Sequence, residues 1–177
     1  MNTALYGLLA EFSDSGTLLE AARRAYAAGY RQMDAFTPFP VEELAEAIGR
    51  KRSWVPLIVL LAGVAGGLGG YFMEWYAMSV DYPINVGGRP LNSWPPFIPI
   101  MFELTILSGA LAAIAAVMAL NRLPQPYHPI FNGPHFERAS TDKFFLCIEA
   151  SDPKFDLAPT RVFLETLKAE FVSEVEQ

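Results

Sequence analysis

The sequence predicts an α+β module of ordinary soluble composition, split in two by a pair of membrane-spanning helices. Charge distribution is the first observation behind this reading. Of 32 charged residues in the 177-residue chain, only Glu74, Asp81, Arg89 and Glu103 fall within residues 54–120, while the flanking 110 residues carry 28. The second is the length of the charge-free runs: residues 55–73 make one, and residues 104–120, preceded by the apolar stretch 94–102, make another. A hydrocarbon core of ~30 Å takes about 20 helical residues, so both are long enough to span it. The third is the element pattern of the flanks, where strand and helix periodicities alternate on both sides of the apolar block. The whole-chain composition, 52% apolar and 18% charged, is thus an average of two different kinds of segment.

The N-terminal flank, residues 1–53, begins with a mainly apolar run of strand length, LYGLLAEF at 5–12. Thr17 and Glu20 have capping-box spacing, and Leu18, Ala22, Ala25 and Tyr26 follow at helical intervals. Gly29 is placed to end that helix. Residues 30–36 read as a second strand, broken by Thr37-Pro38-Phe39-Pro40. Val41, Leu44, Ala45 and Ile48 then form one face of a short helix that Gly49 ends. The start of the chain has no basic segment before an apolar one, and Glu11 and Asp14 come early, so a cleaved signal peptide is not expected.

The central block, residues 54–120, reads as a transmembrane hairpin with a short loop at 79–93, in which Gly87-Gly88 marks a turn. Arg50, Lys51 and Arg52 precede the first span and Arg122 follows the second, whereas the loop has only Arg89, offset by Asp81. The positive-inside rule then expects both termini in the cytoplasm. Trp54, Trp75, Tyr76, Tyr82 and Trp94 fall at the span ends, where interfacial aromatics belong.

The C-terminal flank, residues 121–177, starts with a proline-rich connector at 123–134 that is too broken for a helix and is expected along the membrane surface or a partner. FFLCIEA at 144–150 reads as a strand. Pro159 suits the first turn of a helix with Val162, Phe163 and Leu167 on its apolar side, and 171–175 as a last strand. Neither flank has strands enough to bury a face alone. Joined, they give β-α-β plus β-α-β, so the expected fold is a split ferredoxin-like cytoplasmic domain with an inserted two-helix hairpin.

Composition also limits function. A net charge of −6 argues against nucleic acid as a partner. One cysteine, Cys147, excludes a disulfide framework and a cysteine-held cluster. No phosphate-binding glycine loop, haem-attachment motif or metal-spaced set occurs, and no nucleophile–base pair presents itself, so neither a catalytic residue nor a metal site is expected. His128 and His135 sit in or beside the connector and read as structural or exposed, and Cys147 as a buried inert thiol.

Two features of the spans can carry function. Glu74 lies late in the first span and Glu103 early in the second. An acid at the centre of a span costs about 2.5–3.5 kcal/mol on insertion scales and faces protein or water. The pair reads either as part of a proton path or, more plainly, as an interfacial Glu74 and a Glu103 hydrogen-bonded to a partner. Gly63, Gly66, Gly67 and Gly70 give two overlapping G-x-x-x-G spacings, a close-packing face for either a partner helix or the second span.

The motifs together resemble a known family. Asp34-Ala35-Phe36-Thr37-Pro38-Phe39-Pro40, the glycine-rich first span, Tyr82-Pro83-Ile84-Asn85-Val86-Gly87-Gly88-Arg89-Pro90 and Pro96-Phe97-Ile98-Pro99-Ile100-Met101-Phe102-Glu103 carry the likeness. So do Leu123-Pro124 with His128-Pro129 and Phe131, and Ala139-Ser140-Thr141-Asp142-Lys143-Phe144 with Ile148-Glu149-Ala150. Over essentially its whole length the chain resembles the small two-span D subunit of bacterial alternative complex III. The resemblance implies an accessory, non-catalytic subunit of a quinol-oxidising electron-transfer complex in the bacterial inner membrane. It implies no cofactor in this subunit, c-type haems and iron–sulfur clusters in partner subunits, and contact with polytopic membrane subunits, iron–sulfur and cytochrome c subunits, and lipid. The glycines and hairpin also leave open a stand-alone, homo-oligomeric glycine-zipper membrane protein with a regulatory ferredoxin-like domain.

Overall fold

The structure, a computed structural model, describes residues 5–50 and 53–177. The chain falls into two compact units, Met1–Lys51 with Pro126–Gln177, and Arg52–Gln125.

The first unit is built on a four-stranded sheet. Its strands are β1 (Leu5–Phe12), β2 (Met33–Phe36), β3 (Phe144–Glu149) and β4 (Phe171–Glu176), in the order β2-β3-β1-β4 with every neighbouring pair antiparallel. The period-2 alternation of β strands sorts their side chains. Leu8, Ala10 and Phe12 of β1 and Phe144, Leu146 and Ile148 of β3 point to one face. There they meet Leu18, Ala21, Ala22 and Ala25 of helix α1 (Ser15–Ala28), Leu44 and Ala47 of the single-turn α2 (Leu44–Ala47), and Leu164 of α5 (Leu157–Thr166). Leu9, Phe145, Cys147 and Val175 point to the other face.

That second face is covered by the C-terminal part of the connector and the residues after it. Two 3-10 turns, Pro129–Asn132 and Phe136–Ser140, place Ile130, Phe136 and Ala139 on it. The connector was expected along a membrane surface or partner. Of its apolar residues Ile130 closes this unit's own core, where one sheet face would otherwise stay wet, while Leu123, Tyr127 and Phe131 remain exposed.

Local chemistry moves two element boundaries. Asp14, not Thr17, caps α1: its Oδ1 accepts the Thr17 backbone N–H at 2.8 Å, and the Thr17 hydroxyl donates back to Asp14 Oδ2 at 2.9 Å. The aspartate three residues earlier supplies the acceptor that the capping-box reading gave to Thr17. Gly29 ends α1 in the left-handed conformation, φ 104°. The second strand is shorter than 30–36 because the first residues of that stretch serve the turn. The Tyr30 N–H bonds Ala25 O, and the Arg31 and Gln32 N–H groups bond the Asp152 carboxylate.

The second unit is a helical hairpin. Helix α3 (Val55–Tyr76) runs on as a π-helical turn, Ala77–Asp81, and α4 (Trp94–Leu120) takes in the whole apolar stretch from Trp94. Both continuous helices, Val55–Asp81 and Trp94–Leu120, have 27 residues and are apolar enough to cross a membrane. At 1.5 Å per residue each is about 40 Å long, more than the hydrocarbon core requires. Trp54, Tyr76, Tyr82 and Trp94 are exposed at their ends. In the loop, Asn85 Oδ1 accepts the Gly88 N–H at 2.9 Å, and Gly87 and Gly88 both take positive φ, as the turn requires.

Candidate functional site

The site candidates of the hairpin are set by how α3 and α4 meet. A Cβ added at Gly66 would collide with the Leu104 carbonyl and Ser108, and one at Gly70 would lie 3.2 Å from Met101 Cα. At Gly67 it would lie 2.6 Å from Thr105 Oγ1, and at Gly63 3.6 Å from Thr105 Cγ2. All four glycines therefore face α4 of the same chain, and Gly66 and Gly70 are the tightest against its backbone. Gly69 has nothing within 4 Å. Thr105 satisfies its hydroxyl within α4, donating to Met101 O at 2.7 Å. Along one side of the contact Gly63 and Gly67 join Leu68, Thr105, Gly109 and Ala113 in an open apolar groove of about 750 Å³.

The two acids stand in different places. Glu74 follows Gly66 and Gly70 at spacings of four and is half-buried; its Oε2 has no hydrogen-bond partner among the described residues. Glu103 is exposed. It lies about half a helical turn from Met101, Thr105 and Ser108, residues that meet α3. The hairpin thus turns one acid inward and the other out.

In the first unit the two histidines are held by neighbours. His128 Nε2 lies 3.5 Å from the Tyr6 hydroxyl, and its Nδ1 accepts the Ile130 N–H at 3.2 Å. His135 Nδ1 lies 3.3 Å from Glu11 Oε2. The Cys147 side chain is 1% exposed. Burial pushes its thiol pKa up, with further upward pushes from the carboxylates of Glu149 and Asp34. Among the described residues no three His, Cys, Asp or Glu side chains converge as a metal site would need. Of the basic residues flanking the hairpin, Arg50 pairs with Asp34 within the first unit, and Lys51 and Arg52 lie outside the described residues.

A model of the family described as alternative complex III, ActD subunit, matches residues 6–174. The chain belongs to that family. No curated protein matches it. The match runs from β1 through the hairpin into β4, so both units belong to the ActD pattern. This makes the chain a subunit of an electron-transfer complex, and its two apolar helices fit a membrane protein.

Two polar residues of this ActD chain have roles beyond the sequence reading, which takes Asp152, like Asp14, Asp34, Asp142 and Asp156, as a cap or turn former and gives Glu11 no role. Glu11 is 5% exposed on the connector side of β1, with Lys143 Nζ at 3.5 Å, His135 Nδ1 at 3.3 Å and Arg138 Nη1 at 3.8 Å from its carboxylate. The signal was an acid inside an otherwise apolar strand. Asp152 is 4% exposed, and its carboxylate accepts the backbone N–H groups of Arg31, Gln32 and Lys154 at 2.6 to 2.8 Å. Burial alone would raise its pKa; the three N–H donors and the Arg31 charge outweigh that and hold it below the ordinary aspartate range. Nothing in the sequence separates Asp152 from other turn aspartates.

Proposed function

We propose that this chain is an accessory, non-redox membrane subunit of alternative complex III that stabilises the assembly of a quinol-oxidising complex in the bacterial inner membrane. The family match over residues 6–174 carries the reading. Redox work falls to partner subunits, which hold c-type haems and iron–sulfur clusters. In support, this chain's one thiol is buried and both its histidines are engaged by neighbours. The hairpin docks on polytopic subunits through its glycine-lined groove. Such a chain is a component of an oxidoreductase without being its catalyst. A free-standing homo-oligomer would not by itself give a chain the pattern of a complex subunit.

The first unit is, in this reading, a ferredoxin-like module whose second and third strands are separated by the inserted hairpin. The order β2-β3-β1-β4 and the antiparallel pairing support it. Its place is cytoplasmic with both termini, as the basic residues around the hairpin favour. Glu103, on the outward face of the hairpin, lines a polar path for protons, supported by the cost of an acid within a span.

The test is purification of the native protein from its own membrane. Co-purification with c-type haem absorbance at constant stoichiometry is expected, and a haem-free homo-oligomer refutes the reading. For the proton path, Glu103→Gln slows proton-linked turnover in an intact complex; unchanged turnover with normal assembly rejects that role.

A further inference from the structure

We infer that the outward face of α4 is a docking seam for one transmembrane helix of a partner subunit, and that this helix carries a hydrogen-bond donor opposite Glu103. The inference rests on the subunit reading above and names a contact within it. Glu103 is the one ionisable residue of α4. It is exposed, and no ion pair or hydrogen bond to its carboxylate occurs among the described residues. Arg89, the one basic residue between the two helices, packs in the loop beside Ile84 and Pro90. Nothing described in the hairpin therefore neutralises Glu103. About nine residues into α4, it stands about 14 Å from the helix start, too far for a carboxylate on a short side chain to reach the aqueous boundary of a 40 Å helix centred on a 30 Å core.

The face around it has the spacing of a helix contact. Glu103, Ile106, Ala110, Ile114 and Val117 follow one another at intervals of three and four, a ridge whose Ile106 and Ala110 also border the groove between α3 and α4. Ile106, Ile114 and Val117 are 53%, 60% and 41% exposed. Such a ridge fits the groove of a crossing helix, with Ala110 giving room at its middle. Lipid tails would cover the apolar residues equally well but offer Glu103 no donor. A lysine, arginine, histidine, asparagine or glutamine on a protein helix does, which is why the charge selects protein as occupant.

The experiment compares Glu103→Leu and Glu103→Gln in the native complex, with the ratio of this subunit to c-type haem measured after purification and its amount in the membrane measured beforehand. Glu103→Leu should insert normally yet fall roughly tenfold in that ratio, the effect of losing one intramembrane hydrogen-bonded pair. Glu103→Gln keeps an acceptor and should stay bound; loss of both variants also supports the contact and makes the donor a cation. Retention of Glu103→Leu at the wild-type ratio overturns the inference, since a lipid-facing glutamate is better replaced by leucine. If even the wild-type chain fails to co-purify with haem, the subunit reading falls, and this inference with it.

Discussion

Asp152 Oδ2 accepts the backbone N–H of Arg31 at 2.6 Å, across 121 positions of sequence. The bond ties the turn after β3 to the turn before β2, so residues from either side of the hairpin close one core. The buried Tyr30 hydroxyl, 3.1 Å from Thr160 Oγ1, makes a second such tie. The two flanks of the sequence therefore depend on each other, and a carboxylate with three amide donors is one of the points where they meet.

Removing that carboxylate should loosen the unit. Asp152→Ala leaves buried amide groups unpaired and is expected to cost about 2–3 kcal/mol. Because the folded pKa lies below the ordinary value of about 3.9, the stabilisation is complete above that value. It fades as pH falls through the lower folded pKa. Thermal melting of the detergent-solubilised chain should show wild type and Asp152→Asn converging in acid and separating towards neutral pH. Parallel curves would show that the charge does not matter.

Gly66 and Gly69 make opposite demands on a side chain although three residues apart. Gly66→Ala drives a methyl into the Leu104 carbonyl, whereas Gly69→Ala enters open space. The first is expected to lower the melting temperature of the hairpin in micelles. The second should leave it unchanged or raise it, since alanine exceeds glycine in helix propensity by about 1 kcal/mol. Equal effects would show that the glycines serve as a generic smooth face.

The legible parts of the molecule were those with a strong local signal. Apolar runs of strand length at 5–12 and 144–150 announced β1 and β3, Gly29 and Gly49 stopped their helices, and the uncharged runs announced α3 and α4. What escaped depends on contacts between distant residues. Whether a glycine of α3 faces α4, or which of Glu74 and Glu103 turns outward, follows from the crossing of two helices that are apolar on every side, so no amphipathic stripe announces it. The connector escaped because irregular backbone has no period, and only the sheet's bare second face explains why Ile130 and Phe136 lie where they do.

Cys147 offers a clean readout of that second face. With its side chain buried and its thiol pKa pushed up by burial, the reactive thiolate is scarce at neutral pH. A maleimide should therefore label the native protein slowly and the urea-unfolded protein quickly. Phe136→Ala, which thins the cover on Phe145 and Cys147, should speed labelling under native conditions without abolishing folding. Rapid labelling of the wild type would mean that the 129–140 segment leaves the sheet in solution.

Glu11 is the last test of how that cover is held. Its carboxylate lies under residues 135–143, where His135, Arg138 and Lys143 converge on it from one stretch of chain, while its backbone oxygen accepts the Glu170 N–H at 2.8 Å. Arg138 and Lys143 are also paired to Asp142 and Glu170, and those side-chain hydrogen bonds raise the pKa of both cations. The Arg138–Asp142 pair is exposed at both ends and the Lys143–Glu170 pair at its acid end, so each is weak individually and the buried acid is the common anchor. Glu11→Ala is expected to destabilise the unit by about 2 kcal/mol and to speed maleimide labelling of Cys147, because the segment loses its tether to β1. Asp142→Ala should do neither, as it removes only an exposed pair. Should the two variants behave alike in both measurements, the segment is held by the apolar contacts of Ile130 and Phe136 alone.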